Sequence, residues 1–175
     1  MRLFIAVGFE KESPYLKSIQ EKLHFQNSKL TFPKTFHLTL KFLGEVAQDK
    51  AEKIKESLNS IKSKKFHTFL DSIGVFPGES YIRVVWVGLN PKGSVLHLQK
   101  SIDAVLSPLF KKEKDFKAHI TLARVKFIED KANFMKMLGN IMVEKRKIEV
   151  NEFLLVKSEL KPAGHIYTVI AKFQL

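Results

Sequence analysis

The chain has 175 residues, no Cys, and 30 basic against 18 acidic side chains for a formal net charge of +12, which suits one domain without disulfides, thiolate nucleophiles or Cys-ligated metals. The opening Met1-Arg2-Leu3-Phe4-Ile5-Ala6-Val7 is too short an apolar run for a signal peptide or a membrane span, so a cytoplasmic protein is expected. The basic excess favours a polyanion such as RNA or DNA, yet 26 of the 30 basic residues are Lys, many of them between 50 and 65 on what reads as a solvated helix face, so charge alone does not choose a partner.

In chain order, Arg2 to Phe9 has the apolar density of a strand, and Pro14 to Gln26 carries Leu16, Ile19 and Leu23 on one helical stripe. A strand follows around residues 37–40. A helix from Gln48 to Lys64 turns Ala51, Ile54, Leu58 and Ile61 inward, and Phe66 to Val75 reads as the next strand. The order then repeats: a strand over Tyr81 to Leu89, a helix over Ser94 to Phe110 with Val95, Leu98, Ile102, Val105 and Leu109 inward, a strand around residues 119–122, a helix over Asp130 to Met142, and one strand over Lys147 to Lys157. A turn at Lys161-Pro162-Ala163-Gly164 leads into a last strand, Ile166 to Phe173. The pattern β-α-β-α-β thus occurs twice. It predicts an α+β fold of two pseudo-symmetric lobes, with mainly antiparallel sheets lining a central cleft and helices outside, in a single domain over residues 1–175.

The repeat has a chemical marker. His37-Leu38-Thr39-Leu40 and His119-Ile120-Thr121-Leu122 stand 82 positions apart. A His-aliphatic-Thr-Leu phrase should arise by chance well under about 0.01 times in a chain of this composition, so the pair is not accidental. The two-residue period of a strand sends each His and Thr to one face and the aliphatics to the other. Two opposed imidazoles can accept and donate a proton on one substrate near neutral pH, and the two Thr hydroxyls can hydrogen-bond oxygens of a phosphate held between them. Neither His has metal-ligand spacing or a neighbouring carboxylate, so no metal and no cofactor is expected. His24, His67, His97 and His165 lack a partner motif and are read as surface or structural residues.

The stretches Arg2-Leu3-Phe4-Ile5-Ala6, residues 37–45, Gly74-Val75-Phe76-Pro77, residues 83–88, residues 119–125 and the tail from Pro162 to Leu175 resemble the 2H phosphoesterases, specifically the RNA 2′,3′-cyclic phosphodiesterase branch, also labelled 2′-5′ RNA ligase-like. The resemblance implies hydrolysis of RNA 2′,3′-cyclic phosphate ends to 2′-phosphates without metal, with His37 as proton donor, His119 as proton acceptor, and Thr39 and Thr121 holding the phosphoryl oxygens. Pseudo-symmetry leaves the reverse assignment of the two His open. Phe42 and Arg124 stand five residues after each His, and the resemblance implies that they bind the terminal nucleobase. Strict alternation puts both on the face away from His, so this role requires each strand to end, bend or bulge, and Phe42 as plain core is the competing reading. Lys41 is placed by alternation on the His37 face, where it could attract phosphate. The implied partner is RNA with 2′,3′-cyclic phosphate ends, tRNA halves included, acted on by a monomer without a membrane. Two other readings use the same cleft: reverse 2′-5′ ligation of tRNA halves, and a non-catalytic nucleotide- or RNA-end-binding module.

Overall fold

The computed structural model describes residues 1–162 and 164–175; the predicted turn at Lys161-Pro162-Ala163-Gly164 therefore lies partly outside the described residues, at position 163. The elements are β1 (Arg2–Gly8), α1 (Ser13–Glu21), β2 (Ser28–Thr31), β3 (His37–Glu45), α2 (Gln48–Asn59), β4 (Phe66–Gly78), β5 (Tyr81–Asn90), α3 (Gly93–Leu106), β6 (His119–Ile128), α4 (Lys131–Gly139), β7 (Lys147–Val150), β8 (Glu152–Lys161) and β9 (Gly164–Gln174). They form two antiparallel sheets, ordered β3-β1-β8-β9 and β2-β6-β5-β4-β7. Most of each helical stripe is buried as expected: Leu16 and Ile19 in α1, Ala51, Ile54 and Leu58 in α2, and Val95, Leu98 and Ile102 in α3 join one core with Leu3, Ile5, Val85 and Val87 of the strands; α2 ends at Asn59 and α3 at Leu106, short of the expected Lys64 and Phe110, and Ile61, Val105 and Leu109 are only half-buried. Each such large aliphatic contributes about 1.5–3 kcal/mol on burial.

The two halves are interlocked rather than separately folded. The triplets β3-β1-β8 and β6-β5-β4 are related by the repeat, yet β4 of the first half pairs with β5 of the second, and β8 of the second pairs with β1 of the first. The helices cross as well, for α1 packs against β6 and α3 against β3. Both His strands therefore stand between elements of both halves.

Several boundaries differ from the sequence expectation. The first helix stops at Glu21 instead of Gln26, and the chain reverses through Asn27, at φ +51°, into the short edge strand β2, which the periodicity did not indicate. The region expected as one strand from Lys147 to Lys157 divides at Asn151: β7 completes the second sheet beside β4, and β8 enters the first beside β1.

Candidate active site

Strand β3 carries His37 and Thr39, and β6 carries His119 and Thr121, all half-buried, while Leu38, Leu40, Ile120 and Leu122 are buried in the core. All four polar residues line one cavity of about 740 Å³ between the sheets.

The alternation that would hide Phe42 and Arg124 is broken at the same place in both copies. In β3, Ala6 faces Thr39 and Ile5 faces Lys41, which leaves Leu40 as an extra residue; in β6, Trp86 faces Thr121 and Val85 faces Ala123, which leaves Leu122 extra. A one-residue bulge reverses the facing of everything beyond it. Phe42 and Arg124 are consequently exposed, and both line the cavity. Phe42 is 66% exposed, which removes the plain-core reading.

The same bulge corrects the expectation for Lys41. It turns inward instead of sharing the His37 face, with a side chain only 2% exposed, and its ammonium pairs with Asp103 of α3 and donates to the Lys111 carbonyl at 2.7 Å. Burial alone would push the Asp103 carboxyl up, but hydrogen bonds from Lys41, the Glu113 N–H and Gln99 hold it below the usual carboxylate range. Lys41 is occupied and is not a free phosphate ligand.

The two imidazoles sit against different walls. His37 packs on Phe4, with ring centroids 5.0 Å apart, and meets the edge of Tyr167 at 5.0 Å. His119 meets Phe76 edge-on at 4.9 Å and Trp86 at 6.4 Å. The Trp86 indole lies over Gly74, where a Cβ would overlap the ring. This close approach gives two of the stretches singled out in the sequence, Gly74-Val75-Phe76-Pro77 and residues 83–88, a physical role: they form the wall behind His119. Nδ1 of His119 lies 2.7 Å from the Lys117 carbonyl. A carbonyl can only accept, so Nδ1 carries the proton and Nε2 is left with its lone pair. Among the described residues, no hydrogen bond is made to the His37 ring.

Burial, then the Arg124 guanidinium, then His119 hold the His37 imidazole down at about 4. His119 is lowered as well, by burial first and by Arg124, against an opposing effect of its bond to Lys117. Both rings are therefore mostly neutral at pH 7, and an anion between them would raise both values by offsetting the guanidinium.

The cavity also contains residues that the sequence did not assign. Arg2, Ser158, His165 and Tyr167 line it from β1, β8 and β9, and Phe116 and Lys117 from the loop before β6. His165 was read as a surface or structural residue; it is exposed, but its ring lies parallel to Tyr167 at 6.0 Å. The period of β9 puts residues 165 and 167 on one face, but the entry of β8 and β9 into the first sheet has no local signal. Among the described residues, no group of three or more His, Cys, Asp or Glu side chains could hold a metal ion. No helix of the described residues is long and apolar enough to cross a membrane.

The model of the family described as LigT like Phosphoesterase matches this chain twice, over residues 7–86 and 87–167. The chain is 37% identical to the RNA 2′,3′-cyclic phosphodiesterase of Methanocaldococcus jannaschii, covering 99% of this chain and 100% of that protein. It is 34% identical to the protein of the same name from Archaeoglobus fulgidus, with the same coverage of 99% and 100%. A crystal structure of a Thermus thermophilus protein superposes with a TM-score of 0.82 at 32% identity, covering 100% of this chain and 98% of that one. Escherichia coli LigT in complex with 3′-AMP has the same fold, with a TM-score of 0.77 over 99% of this chain and 97% of that one at 23% identity.

Proposed function

The chain belongs to the LigT-like phosphoesterase family, and from that membership and its cleft we propose that it hydrolyses RNA 2′,3′-cyclic phosphate ends by two-histidine acid-base catalysis and releases a 2′-phosphate with a free 3′-hydroxyl. The observation that carries this reading is the difference between the two rings. His119, with Nδ1–H anchored on a carbonyl, presents an Nε2 lone pair in a fixed direction and gains a stabilised imidazolium once it takes a proton; it is the base. His37, held down at about 4, gives up a proton readily once the phosphate anion has allowed it to acquire one; it is the acid.

His119 Nε2 removes a proton from water as the water oxygen bonds to phosphorus, the bond from phosphorus to O3′ breaks, and His37 delivers its proton to O3′. The net reaction adds one water. Proton exchange with solvent afterwards returns both rings to their starting forms. The Thr39 and Thr121 hydroxyls donate to the non-bridging oxygens, on which charge grows as the fifth ligand approaches phosphorus. Phe42 and Arg124 bracket the terminal base by stacking, which tolerates any base identity at about 1–3 kcal/mol. Neither step calls on a metal ion.

The partner is RNA carrying a 2′,3′-cyclic phosphate end, tRNA halves among them. One chain suffices, because both sheets that close the cavity come from it, and it is read as one domain of two repeats working as a monomer in the cytoplasm. The test is product analysis. A labelled oligomer with a 2′,3′-cyclic phosphate end should yield only the 2′-phosphate isomer; the 3′-phosphate would reverse the roles of the two His, and no turnover would leave a binding module.

A further inference from the structure

The two bulges that turn Phe42 and Arg124 into the cleft are each fastened by a buried polar side chain to a helix of the opposite half. Gln20 of α1, buried to 8% exposure, donates through Nε2 to the carbonyl of Leu122, the extra residue of the β6 bulge, at 2.9 Å, and to the Pro33 carbonyl in the loop leading to His37 at 3.0 Å. Asp103 of α3, 6% exposed, holds the Lys41 ammonium at the β3 bulge and accepts from the Glu113 N–H, in the loop leading to His119, at 2.9 Å. Lys41 also binds the Lys111 carbonyl of that loop, and Gln99 donates to the second Asp103 oxygen at 2.8 Å.

The two arrangements match in position although not in chemistry. Gln20 precedes His37 by 17 residues and Asp103 precedes His119 by 16. Each joins the same three parts: a helix, the loop that enters that half's own His strand, and the bulge in the other half's His strand. One uses a neutral amide and the other an ion pair.

From this crossed arrangement we infer that Gln20 and the Lys41–Asp103 pair are positioning residues for binding of the nucleobase, with Gln20 setting Arg124 and the ion pair setting Phe42. The inference rests on the proposed role of Phe42 and Arg124 as the base bracket. A bulged strand has an unpaired residue and a locally broken ladder, so its side-chain directions are only as well defined as the contacts that hold the extra residue. Buried polar groups in a low-dielectric core have steep distance dependence and serve this purpose better than aliphatic contacts, which slide at little cost. Gln20 and Asp103 do not line the cavity, and Lys41, which does, has its ammonium taken up by Asp103 and the Lys111 carbonyl; these groups act through the two side chains that they orient.

Two substrates separate this role from a plain contribution to folding: a nucleoside 2′,3′-cyclic phosphate, and methyl riboside 2′,3′-cyclic phosphate, which presents the same phosphate without a base. Compared on the plateau of the pH profile, where a displaced Arg124 guanidinium no longer acts through the titration of the two imidazoles, Gln20→Leu should lower kcat/KM for the nucleotide by about tenfold, mainly through KM, and change that for the methyl riboside by less than about twofold. Combined with Arg124→Ala it should add almost nothing, because the group it orients is gone. Lys41→Met alone leaves a buried carboxylate unpaired and can unfold the chain, so the informative variant is Lys41→Met with Asp103→Leu, an apolar pair of similar volume. It should fold, show the same substrate-selective loss, and be non-additive with Phe42→Ala. Equal losses on both substrates in folded variants, additivity with the bracket mutations, or wild-type constants would each overturn the clamp role. If Arg124→Ala itself fails to discriminate between the substrates, the base bracket is wrong and the inference falls with it; if it discriminates and Gln20→Leu does not, the bracket stands and the clamp alone is wrong.

Discussion

His119 is anchored to the chain two residues before it, its Nδ1 lying 2.7 Å from the carbonyl oxygen of Lys117, whereas its counterpart His37 is held between the rings of Phe4 and Tyr167. One imidazole is oriented by a hydrogen bond and the other by apolar packing. That difference is what the proposed mechanism uses to give two rings of a repeated motif distinct tasks, which duplication alone would not.

In the proposed mechanism, replacing either ring removes one of the two proton transfers. His37→Ala and His119→Ala are each expected to lose at least about 10²-fold in kcat on a 2′,3′-cyclic end, with the double variant little worse than the singles. Turnover of all three, compared at matched folded fraction by circular dichroism, checks this. A single variant within a few-fold of wild type would rule the two-His mechanism out.

Arg124 lowers the pKa of both His37 and His119. Removal of its positive charge makes each imidazolium easier to form, so Arg124→Ala should move both limbs of the bell-shaped kcat/KM profile, and the C–H titration shifts of both rings, towards higher pH. NMR titration of the free protein measures it directly. Unmoved titrations would show that the guanidinium points away from the site.

The neutral His37 also couples stability to pH. Its folded pKa of about 4 lies below the usual 6.5, so between those values the unfolded chain binds more protons than the folded one. The associated stability is fully present above about pH 6.5 and is lost as pH falls towards 4. The ring is largely buried, and the loss should amount to at most about 3 kcal/mol. Urea unfolding of wild type and His37→Ala across this window should show the variant with the shallower slope.

At Gly74 a methyl group would overlap the Trp86 indole, and Trp86 stands behind His119. Gly74→Ala should cost about 1–3 kcal/mol of stability by overpacking and reduce kcat several-fold by displacing the wall. The chain has one Trp, so a shift of its fluorescence maximum reports the displacement without ambiguity.

The excess of 30 basic over 18 acidic side chains should act on RNA beyond the terminal nucleotide. KM for an oligomer is expected to rise steeply between low and high salt, while that for a mononucleoside cyclic phosphate changes much less. Parallel salt dependence for the two substrates would make the lysines a solvated surface only.

The sequence by itself determined the repeat and the face on which its polar residues stand. A two-residue period and a phrase used twice are local properties, so His37, Thr39, His119 and Thr121 could be assigned to one face, and the inward stripes of α1, α2 and α3 could be read, without knowing which strands pair. Only the tertiary structure decided what depends on pairing. Leu40 and Leu122 look like any other strand aliphatic, and nothing local says that each is an extra residue opposite its partner strand; that single feature brings Phe42 and Arg124 into the cleft and sends Lys41 into the core. The split at Asn151 did leave a trace, since core-facing positions change from 148 and 150 to 153 and 155, but the sheets to which the two pieces belong were set by partners about 80 and 150 residues away. The bulges, the crossed helices and the buried contacts of Gln20 and Asp103 are free-energy terms between segments remote in sequence. A one-dimensional period carries no record of them, because each exists only when both partners have been brought together by the folded core.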